Sequence, residues 1–473
     1  MLQKKTILII IISLIAIAYI IYLITIISSS SVNLSHTAIL ELQSTTSFSD
    51  LSSFFNNNLR TTITVSDKNQ EVDLFFSSKD FSFFITQQDI FFNNNENSKI
   101  NKLSNNFYNY EISSTLKIKS NRTQTYFTNY KFGRKAEENF ALCSENNCDK
   151  NSIKMNNFYF MLVEDPFEKV SGGIGLRPIE FIGDGAINLF NELYRKNYIK
   201  NNVWYIEYNK NDEKKLIIGK FPYEINKKYK MNDFDFFKIG NKASNWQLQM
   251  IKISIWKNDN NNNNDEENYD NIIKERNIEF QQEFSFIYGP PDYYKKIKNI
   301  FFNKYLNNKC TENTYTYQLT DFLYIICDED IPLKEFPPLI MNINKNIGFE
   351  LTYEDLFMKN NGKALFLFVS NKIEKYFNER WYMGEPFLKK YMPVYNQKEL
   401  RIGFYGTVKT IKGNYKVAGI LGFIILMISI GIIIYLCLFI FRKYRNRKIR
   451  RAAMEMKIEE ISSKFIINKK ETK

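Results

Sequence analysis

Histidine is almost absent from this chain of 473 residues, and His36 is the only one. Catalytic triads that use an imidazole base, and most zinc sites, are therefore excluded in practice. The chain also lacks a glycine-rich loop of the kind that cradles phosphate, because Gly172, Gly173 and Gly175 are better explained by a turn. The sequence predicts neither a metal nor a cofactor.

Acidic residues are outnumbered, with 51 Asp and Glu against 64 Lys and Arg, and the formal charge is +13. Residues 442–473 hold 12 Lys or Arg against 4 Asp or Glu, and Lys4 and Lys5 lie at the other end, so about +3 remains for the middle region. The excess is thus typical of topological flanks beside membrane lipid, and a lipid- or partner-binding tail is the alternative. Nucleic-acid binding is not indicated.

Long uncharged apolar runs occur twice, at residues 6–27 and 417–441. Each is long enough to span a hydrocarbon core of ~30 Å as a helix. The cationic flank after the second run predicts a cytoplasmic tail at 442–473, with the region between the runs in the lumen or outside the cell. Residues 1–27 are either a retained transmembrane signal anchor or a cleaved signal peptide. Two runs around one large soluble region do not line a transport path.

Cysteines are few but fit an oxidising compartment. Their nearness in the sequence predicts two disulfides, Cys143–Cys148 and Cys310–Cys327. Asn33 and Asn121 lie in glycosylation sequons, which agrees with a plasma-membrane or secretory-pathway protein whose large middle region is extracellular or luminal.

Helix-length patterns are also scarce between the two apolar runs. Short aromatic and β-branched strands with polar turns predict a mostly β region with few short helices. One example is "DLFFSSKDFSFFI" at 73–85, two apolar strands joined by a polar pivot. The Asn-rich stretch at 258–270 cannot bury apolar surface, and strand-like segments flank it on both sides, so it is an insert in a loop.

One late segment carries a specific pattern: "WYMGEPFLKKYMPVYNQKELRIGFYG" at 381–406. A glycine follows a short apolar strand, then comes a helix of the form Phe-Leu-basic-x-Tyr, and then a hairpin that ends in an apolar residue, Gly and an aromatic. This order resembles the closing segment of pepsin-like aspartic proteases. The matching positions are Gly384, Phe387, Leu388, Lys389, Tyr391, Val394, Tyr395, Ile402, Gly403 and Phe404.

Other segments resemble the same family in the same order, over roughly residues 50–408. "GGIGLRP" at 172–178 is similar to the first lobe's Gly-bearing turn, and "YGPPDYYKKI" to a helix of the second lobe. The resemblance implies a bilobal pepsin-like fold, with an N-terminal lobe at 38–222 and a C-terminal lobe at 223–408. The two apolar runs predict transmembrane helices on either side of it.

The resemblance also implies a site of two carboxylates, one in each lobe, that share a proton and hold a water. In the family, each Asp lies in an Asp-Thr/Ser-Gly pivot between strands. Two triplets stand in these places here: Ser77-Ser78-Lys79 and Gln281-Gln282-Glu283. The catalytic Asp is missing from both, and so is the Gly. The family's aromatic flap hairpin with its Tyr-Gly signature has no recognisable counterpart between 105 and 135.

These replacements predict degenerate catalytic positions at Ser77 and Gln281 and leave Ser78, Lys79, Asp80, Gln282 and Glu283 as residues of the cleft. The leading hypothesis is a membrane-anchored pseudoprotease whose groove binds an extended peptide or a protein. Structural or surface-coat use of the fold fits nearly as well. An active membrane-bound endopeptidase remains the alternative, with Asp80 and Glu283 as displaced acids.

Overall fold

The computed structural model describes most of the region between the two apolar runs. The described residues are 37–44, 59–78, 82–86, 108–120, 123–124, 132–143, 153–163, 171–178, 187–209, 213–240, 245–255, 276–317, 320–343, 347–372, 380–405 and 409–410, together with most positions from 442 to 458 and a few between 431 and 439. The chain forms two compact units, Met1–Lys409 and Thr410–Lys473.

β-Strands dominate the first unit, as the aromatic and β-branched pattern predicts. Its earlier strands are β1 Ala38–Leu42, β2 Arg60–Val65, β3 Gln70–Ser77, β4 Phe83–Thr86, β5 Lys117–Ile118, β6 Thr123–Gln124, β7 Phe132–Ala141, β8 Lys154–Val163, β9 Gly172–Gly175, β10 Val203–Tyr208, β11 Lys214–Ile218 and β12 Phe234–Lys238. Its later strands are β13 Gln247–Met250, β14 Lys252–Ile255, β15 Arg276–Phe280, β16 Ile287–Tyr288, β17 Cys310–Tyr317, β18 Thr320–Asp328, β19 Leu339–Asn342, β20 Ile347–Leu351, β21 Phe357–Asn360, β22 Lys363–Phe366, β23 Phe368–Asn371, β24 Trp381–Met383, β25 Val394–Asn396 and β26 Arg401–Tyr405. A last strand, β27, comprises Lys409–Thr410.

Among the described residues of the first unit, helices are few and short. They are α1 Leu189–Arg195, α2 Pro222–Ile225, α3 Pro291–Ile297, α4 Tyr353–Leu356 and α5 Glu385–Tyr391, with a π-helical turn Lys298–Phe302 directly after α3. Helix α1 begins where Asn188 accepts hydrogen bonds from the Phe190 and Asn191 amides, an arrangement that satisfies two otherwise unpaired donors. The prediction of a mostly β fold with few short helices is confirmed.

Two large sheets repeat one strand arrangement. The first has the order β2-β3-β9-β4-β8-β7-β5, and the second the order β13-β15-β24-β16-β23-β18-β22-β21. In the first sheet β3 is parallel to β9, β9 antiparallel to β4, and β4 parallel to β8. In the second sheet β15, β24, β16 and β23 repeat this sequence of directions. The repeat defines a first half and a second half of the unit, consistent with a bilobal fold.

The predicted pivot strands are present, and a third strand lies between them. Strands β3 and β4 flank the polar stretch of 73–85, but β9 lies between them in the sheet, so they do not pair with each other. The segment 172–175, predicted as a turn, is the strand β9. Its glycines allow this, because a side chain at Gly172 would collide with Leu74 and with the Phe84 carbonyl.

A third sheet joins the two halves, with the order β1-β11-β10-β25-β26-β12. Strand β10 of the first half pairs antiparallel with β25 of the second half, with Val203 opposite Asn396. Aromatic rings continue this junction. The rings of Trp204 and Tyr395 stack at 4.0 Å between centroids, and Trp246 lies 5.1 Å from Tyr395. Ring stacking and backbone pairing therefore hold the two halves together near one point.

A buried ion pair also crosses this junction. Lys214 on β11 lies 2.8 Å from a carboxylate oxygen of Glu385 at the start of α5, and the Lys214 side chain is only 3% exposed. Exposed pairs in the same unit, such as Lys309 with Asp330 at 2.6 Å, lie in water. The two kinds of pair differ mainly in how far their charges are removed from water. Loss of one partner of the buried pair therefore lowers the free energy of unfolding more than loss of an exposed partner.

The apolar runs predicted to span a membrane lie mostly outside this description. Residues 6–27 are outside the described part, and only a few positions of 417–441 are inside it. None of the helices seen among the described residues combines the length and apolar character needed to cross a bilayer. The insert at 258–270 also lies outside the described residues.

Candidate functional site

The two predicted triplets begin at equivalent places in the two sheets. Ser77 ends β3 opposite Gly175 of the parallel strand β9, and its carbonyl accepts a hydrogen bond from the Leu176 amide at 2.9 Å. Gln281 follows β15, and its amide donates to the Met383 carbonyl of the parallel strand β24 at 3.0 Å. Both triplets therefore start where a central strand meets a parallel neighbour, with Gly175 at the end of β9 and Gly384 directly after β24.

Ser78 connects the two triplets. Its hydroxyl lies 2.7 Å from Gln281 Oε1 and also contacts Glu283 Oε2, while its backbone N–H donates to Glu283 Oε1. One hydroxyl proton thus faces two acceptors, and both oxygens of the Glu283 carboxylate face Ser78. These hydrogen bonds join residues more than 200 positions apart and form the polar contact at the centre of the unit.

The polar side chains of this junction are buried, so their hydrogen bonds matter for folding. Ser78, Gln281 and Gln282 are each less than 5% exposed. Gln282 turns away from Ser78 and donates through Nε2 to the Tyr395 hydroxyl at 2.6 Å. Burial raises the pKa of the Tyr395 phenol well above its ordinary value, so the hydroxyl stays protonated at neutral pH.

Glu279 is a buried carboxylate that contacts the side-chain amide of Gln281. It is 2% exposed and accepts from Asn245 Nδ2 at 3.0 Å and from Gln281 Nε2 at 3.4 Å. Arg380 forms an ion pair with its other oxygen. Residue 279 was not identified from the sequence, although a glutamate between the apolar residues Ile278 and Phe280 in a central strand was a usable signal.

Close backbone approach shapes the second half of the site. A Cβ atom added at Gly384 would lie 2.2 Å from the Phe286 carbonyl oxygen and 2.3 Å from that of Phe284. The chain after Glu283 and the start of α5 therefore touch through backbone, which only glycine permits. By contrast, a Cβ atom added at Gly240 would meet nothing within 4 Å.

Trp246 also links the two halves, through hydrogen bonds of its indole N–H and its backbone carbonyl. Its indole Nε1 donates to the Leu176 carbonyl at 2.5 Å, directly after β9, and its own carbonyl accepts from the Phe280 amide at 3.1 Å. Trp246 was not recognised from the sequence as part of the site. Together with Ser78 and Tyr395, it fixes the relative position of the two triplets.

The structure describes five of the seven predicted site residues, Ser77, Ser78, Gln281, Gln282 and Glu283. Hydrogen bonds across the junction join three of them, Ser78, Gln281 and Glu283. Lys79 and Asp80 lie outside the described residues. A strand pairing missed by the sequence reading occurs nearby, because β5 and β6 both pair antiparallel with β7. The chain therefore folds back between 117 and 141 in the region where no flap hairpin was recognised, without a Tyr-Gly signature.

One of the two predicted disulfides is seen directly. Cys310 and Cys327 are bonded and lie opposite each other on β17 and β18. Cys143 is also disulfide-bonded, but Cys148 lies outside the described residues, as do the sequon residues Asn33 and Asn121.

The described residues contain no cluster of three or more His, Cys, Asp or Glu side chains placed to hold an ion. What the junction offers instead is a set of neutral amides and hydroxyls with two carboxylates, Glu279 and Glu283, one on each side of Gln281. These groups are hydrogen-bonded to one another or to Tyr395, and no carboxylate stands at Ser77 or Gln281.

Comparison with known proteins agrees with this geometry. The family model for eukaryotic aspartyl protease matches residues 58–406, which is most of the chain and includes both sheets and the segment that joins them. No curated protein matches the chain significantly. On the strength of the family match and the repeated sheet arrangement, the chain belongs to the eukaryotic aspartyl protease family.

Proposed function

We propose that this protein is a catalytically inactive, membrane-anchored member of its family, whose extracytoplasmic groove between the two halves binds a peptide or protein. The proposal rests on which residues stand at the two equivalent strand ends. Ser77 and Gln281 stand there, and Ser78 occupies the space between the triplets through hydrogen bonds to Gln281 and Glu283.

The loss of hydrolysis follows from proton chemistry. An aspartic protease needs one ionised carboxylate to take a proton from water and a second, protonated carboxyl group to polarise the scissile carbonyl. A hydroxyl at Ser77 and an amide at Gln281 exchange no proton at acidic or neutral pH. A water held between them therefore lacks a base on the side where the reaction requires one.

Binding does not require that chemistry. Two β halves that meet at a buried junction present strand edges and loops to an extended chain, which such surfaces hold through backbone hydrogen bonds and side-chain pockets. Tight anchoring of the junction, by the Trp204–Tyr395 stack and the buried Lys214–Glu385 pair, favours a preformed groove. A structural or surface-coat role uses the same fold without a peptide ligand.

A second candidate is an active endopeptidase with displaced acids. The observation in its favour is the Glu283 carboxylate, which lies at the junction of the triplets and contacts Ser78. In such an enzyme Glu283 would act together with Asp80. Both oxygens of Glu283 also accept hydrogen bonds from Ser78, so the carboxylate is already engaged in joining the two triplets.

Membrane anchoring is part of the proposal and is supported by the sequence. The apolar runs at 6–27 and 417–441, with cations outside each, orient the middle region to the lumen or the exterior and the tail to the cytoplasm. The bonded Cys310 and Cys327 agree with an oxidising compartment.

The test is proteolysis of a mixed peptide library by residues 38–409, from acidic to neutral pH. A Ser77→Ala/Gln281→Ala variant runs beside the parent protein, and a Glu283→Gln variant serves as the probe of a displaced acid. The expected result is no cleavage above background by any of the three. Cleavage that a statine-type inhibitor blocks, and that Glu283→Gln abolishes while the double variant retains it, would overturn the proposal and assign the displaced-acid enzyme.

A further inference from the structure

Three cations gather around one aromatic ring on the first sheet. The ammonium nitrogens of Lys135 and Lys196 lie 4.4 and 4.7 Å from the centroid of the Tyr159 ring. The guanidinium carbon of Arg195 lies 5.7 Å from the same centroid. Lys135, Arg195 and Lys196 are called the cation cluster below. The face of a ring attracts cations, but three like charges so close to one point also repel one another. An anion at this place relieves that repulsion.

Carboxylates compensate only part of the cluster's charge. Glu192 lies 2.7 Å from Arg195 Nη2 and 3.7 Å from Lys196 Nζ, so one carboxylate serves two cations. Among the residues that the structure describes, no carboxylate forms an ion pair with Lys135, whose ammonium group lies over the Tyr159 ring. The cation cluster therefore keeps a surplus of positive charge.

Other lysines of the unit have carboxylates of their own. Glu137 faces Tyr159 across β7 and β8, and it is already paired with Lys119 at 2.8 Å. In the second half, five lysines each pair with a different carboxylate, in the pairs Lys298–Glu312, Lys304–Glu335, Lys309–Asp330, Lys359–Glu329 and Lys363–Asp328. The cation cluster differs from these places because its cations outnumber the carboxylates that they contact.

Strand register connects the cluster with the first triplet. A row of paired residues crosses the sheet from β3 to β7 and consists of Phe75, Gly173, Phe84, Met161 and Lys135. Paired residues of neighbouring strands lie on the same face, and so do Phe75 and Ser77, which are two residues apart on β3. Ser77, Phe75 and Lys135 are all half-buried. The face that carries Ser77 therefore continues to the cation cluster.

The equivalent row of the second half carries different side chains. From β15 to β23 it consists of Glu279, Tyr382, Tyr288 and Val369. On the next strand, Tyr324 packs in the same apolar cluster as Tyr288 and Val369. Beyond Glu279 this row is aromatic and apolar and contains no Lys or Arg. The surplus positive charge is therefore a feature of the first half.

We propose that the cation cluster receives an acidic side chain of the ligand, so that the groove selects peptides or protein segments with Asp or Glu in that position. The proposal rests on the proposed function, because it assigns the ligand class of the same groove. Four strand spacings of ~4.8 Å separate Phe75 from Lys135, which is ~19 Å or about six residues of extended peptide. A charge-assisted hydrogen bond to a Lys135 ammonium then fixes one end of the ligand.

The apolar part of the row favours a peptide over a sulfated polysaccharide. Phe75, Phe84 and Met161 lie between Ser77 and the cluster. A polysaccharide with a sulfate on every unit places charge against these side chains, which is unfavourable for burial. A peptide can place apolar side chains along the row and one carboxylate at its end.

The test is affinity selection from a library of random dodecapeptides by the full chain in detergent, with mass spectrometry of the retained peptides. Asp and Glu are expected to be enriched several-fold over the input library. The most enriched acidic peptide is then synthesised, together with a version in which Asp and Glu become Asn and Gln. The acidic version is expected to bind at least about tenfold more tightly.

Lysine variants test whether the cation cluster is responsible. Lys135→Gln is expected to remove most of the acidic enrichment, and Lys135→Arg is expected to retain it because the cation is kept. The matched control is Lys309→Gln, which removes a lysine that already pairs with Asp330 and is expected to leave the selection unchanged. Retention by Lys135→Arg separates a role of the charge from a purely structural role of the side chain.

Each remaining outcome overturns the inference in a different way. Peptides retained without acidic enrichment refute this inference alone and leave the proposed function standing. Acidic enrichment that Lys135→Gln does not change places the acid preference elsewhere in the protein. If no peptide is retained, the proposed function fails as well, and heparin binding that Lys135→Gln weakens would then assign the cluster to a sulfated polysaccharide.

Discussion

The hydrogen bond between Gln282 and Tyr395 is a sensitive test of how the two halves are joined. Gln282 Nε2 donates to the Tyr395 hydroxyl at 2.6 Å, and both side chains are almost fully buried. Tyr395→Phe removes the acceptor but keeps the ring that stacks on Trp204. The change therefore isolates the hydrogen bond from the ring packing.

The expected cost follows from what the substitution leaves behind. Without the Tyr395 hydroxyl, the Gln282 amide is buried with its donor unsatisfied, which costs about 1–3 kcal/mol of the free energy of unfolding. Replacing both partners by apolar side chains of similar shape, as in Gln282→Met with Tyr395→Phe, removes the unsatisfied group. The double variant is therefore expected to be more stable than Tyr395→Phe alone.

Urea unfolding of residues 38–409 measures these differences through tryptophan fluorescence, since Trp204 and Trp246 both pack on Tyr395. The matched control is Tyr353→Phe, because that hydroxyl bonds to its neighbour Glu354 at the exposed surface. The control is expected to change the free energy of unfolding by less than about 0.5 kcal/mol.

Two outcomes would refute this reasoning. If Tyr395→Phe costs no more than Tyr353→Phe, the Gln282 amide finds another partner and the bond does not stabilise the junction. If the double variant loses the full sum of the two single losses, the two side chains contribute independently and not as a hydrogen-bonded pair.

Three further predictions use the same unfolding assay. Gly384→Ala is expected to cost about 3 kcal/mol or to prevent folding, because its Cβ would meet two backbone carbonyls. In the control Gly240→Ala, the added Cβ enters open space, and the expected cost is less than about 1 kcal/mol. Similar costs for the two variants would contradict the close backbone approach at Gly384. Lys214→Met removes the buried ammonium group that pairs with Glu385 across the junction and is expected to cost about 3 kcal/mol, against less than about 1 kcal/mol for the exposed Lys309→Met. Equal losses would mean that burial of Lys214 does not strengthen its pair. Because burial raises the pKa of Tyr395, its contribution to the free energy of unfolding is complete below pH about 10 and is lost as the pH rises further, by ~1.4 kcal/mol per pH unit. Tyr395→Phe is therefore expected to flatten the alkaline decline in the free energy of unfolding by that amount. An unchanged slope would contradict this prediction.

Local pattern was enough to predict much of the fold. Alternating and aromatic-rich runs predicted β strands, and β3 and β4 are present on either side of the polar stretch that contains Ser77. The segment 381–406 predicted the short strand, the helix and the closing hairpin in their observed order, as β24, α5, β25 and β26. Such features depend on residues close in the chain, whose periodicity the sequence displays directly.

Pairing between strands that are distant in the chain was harder to predict from the sequence. The glycine-rich segment at 172–175 suggested a turn, yet it is a buried strand because two neighbouring strands supply its hydrogen bonds. The fold-back between 117 and 141 was missed for a similar reason, since β5 and β6 are only two residues each and carry no periodic signal of their own.

By itself, the amino-acid sequence predicted that Ser77 and Gln281 stand where the family has its two aspartates, because family alignment depends on local segments. Only the tertiary structure decided that Ser78 fills the space between the triplets through Gln281 and Glu283, 203 and 205 positions away. Only the tertiary structure also decided that Glu279 is buried and in contact with the Gln281 side chain. These contacts arise where two separately formed sheets meet, and no pattern within either segment encodes the distance between them.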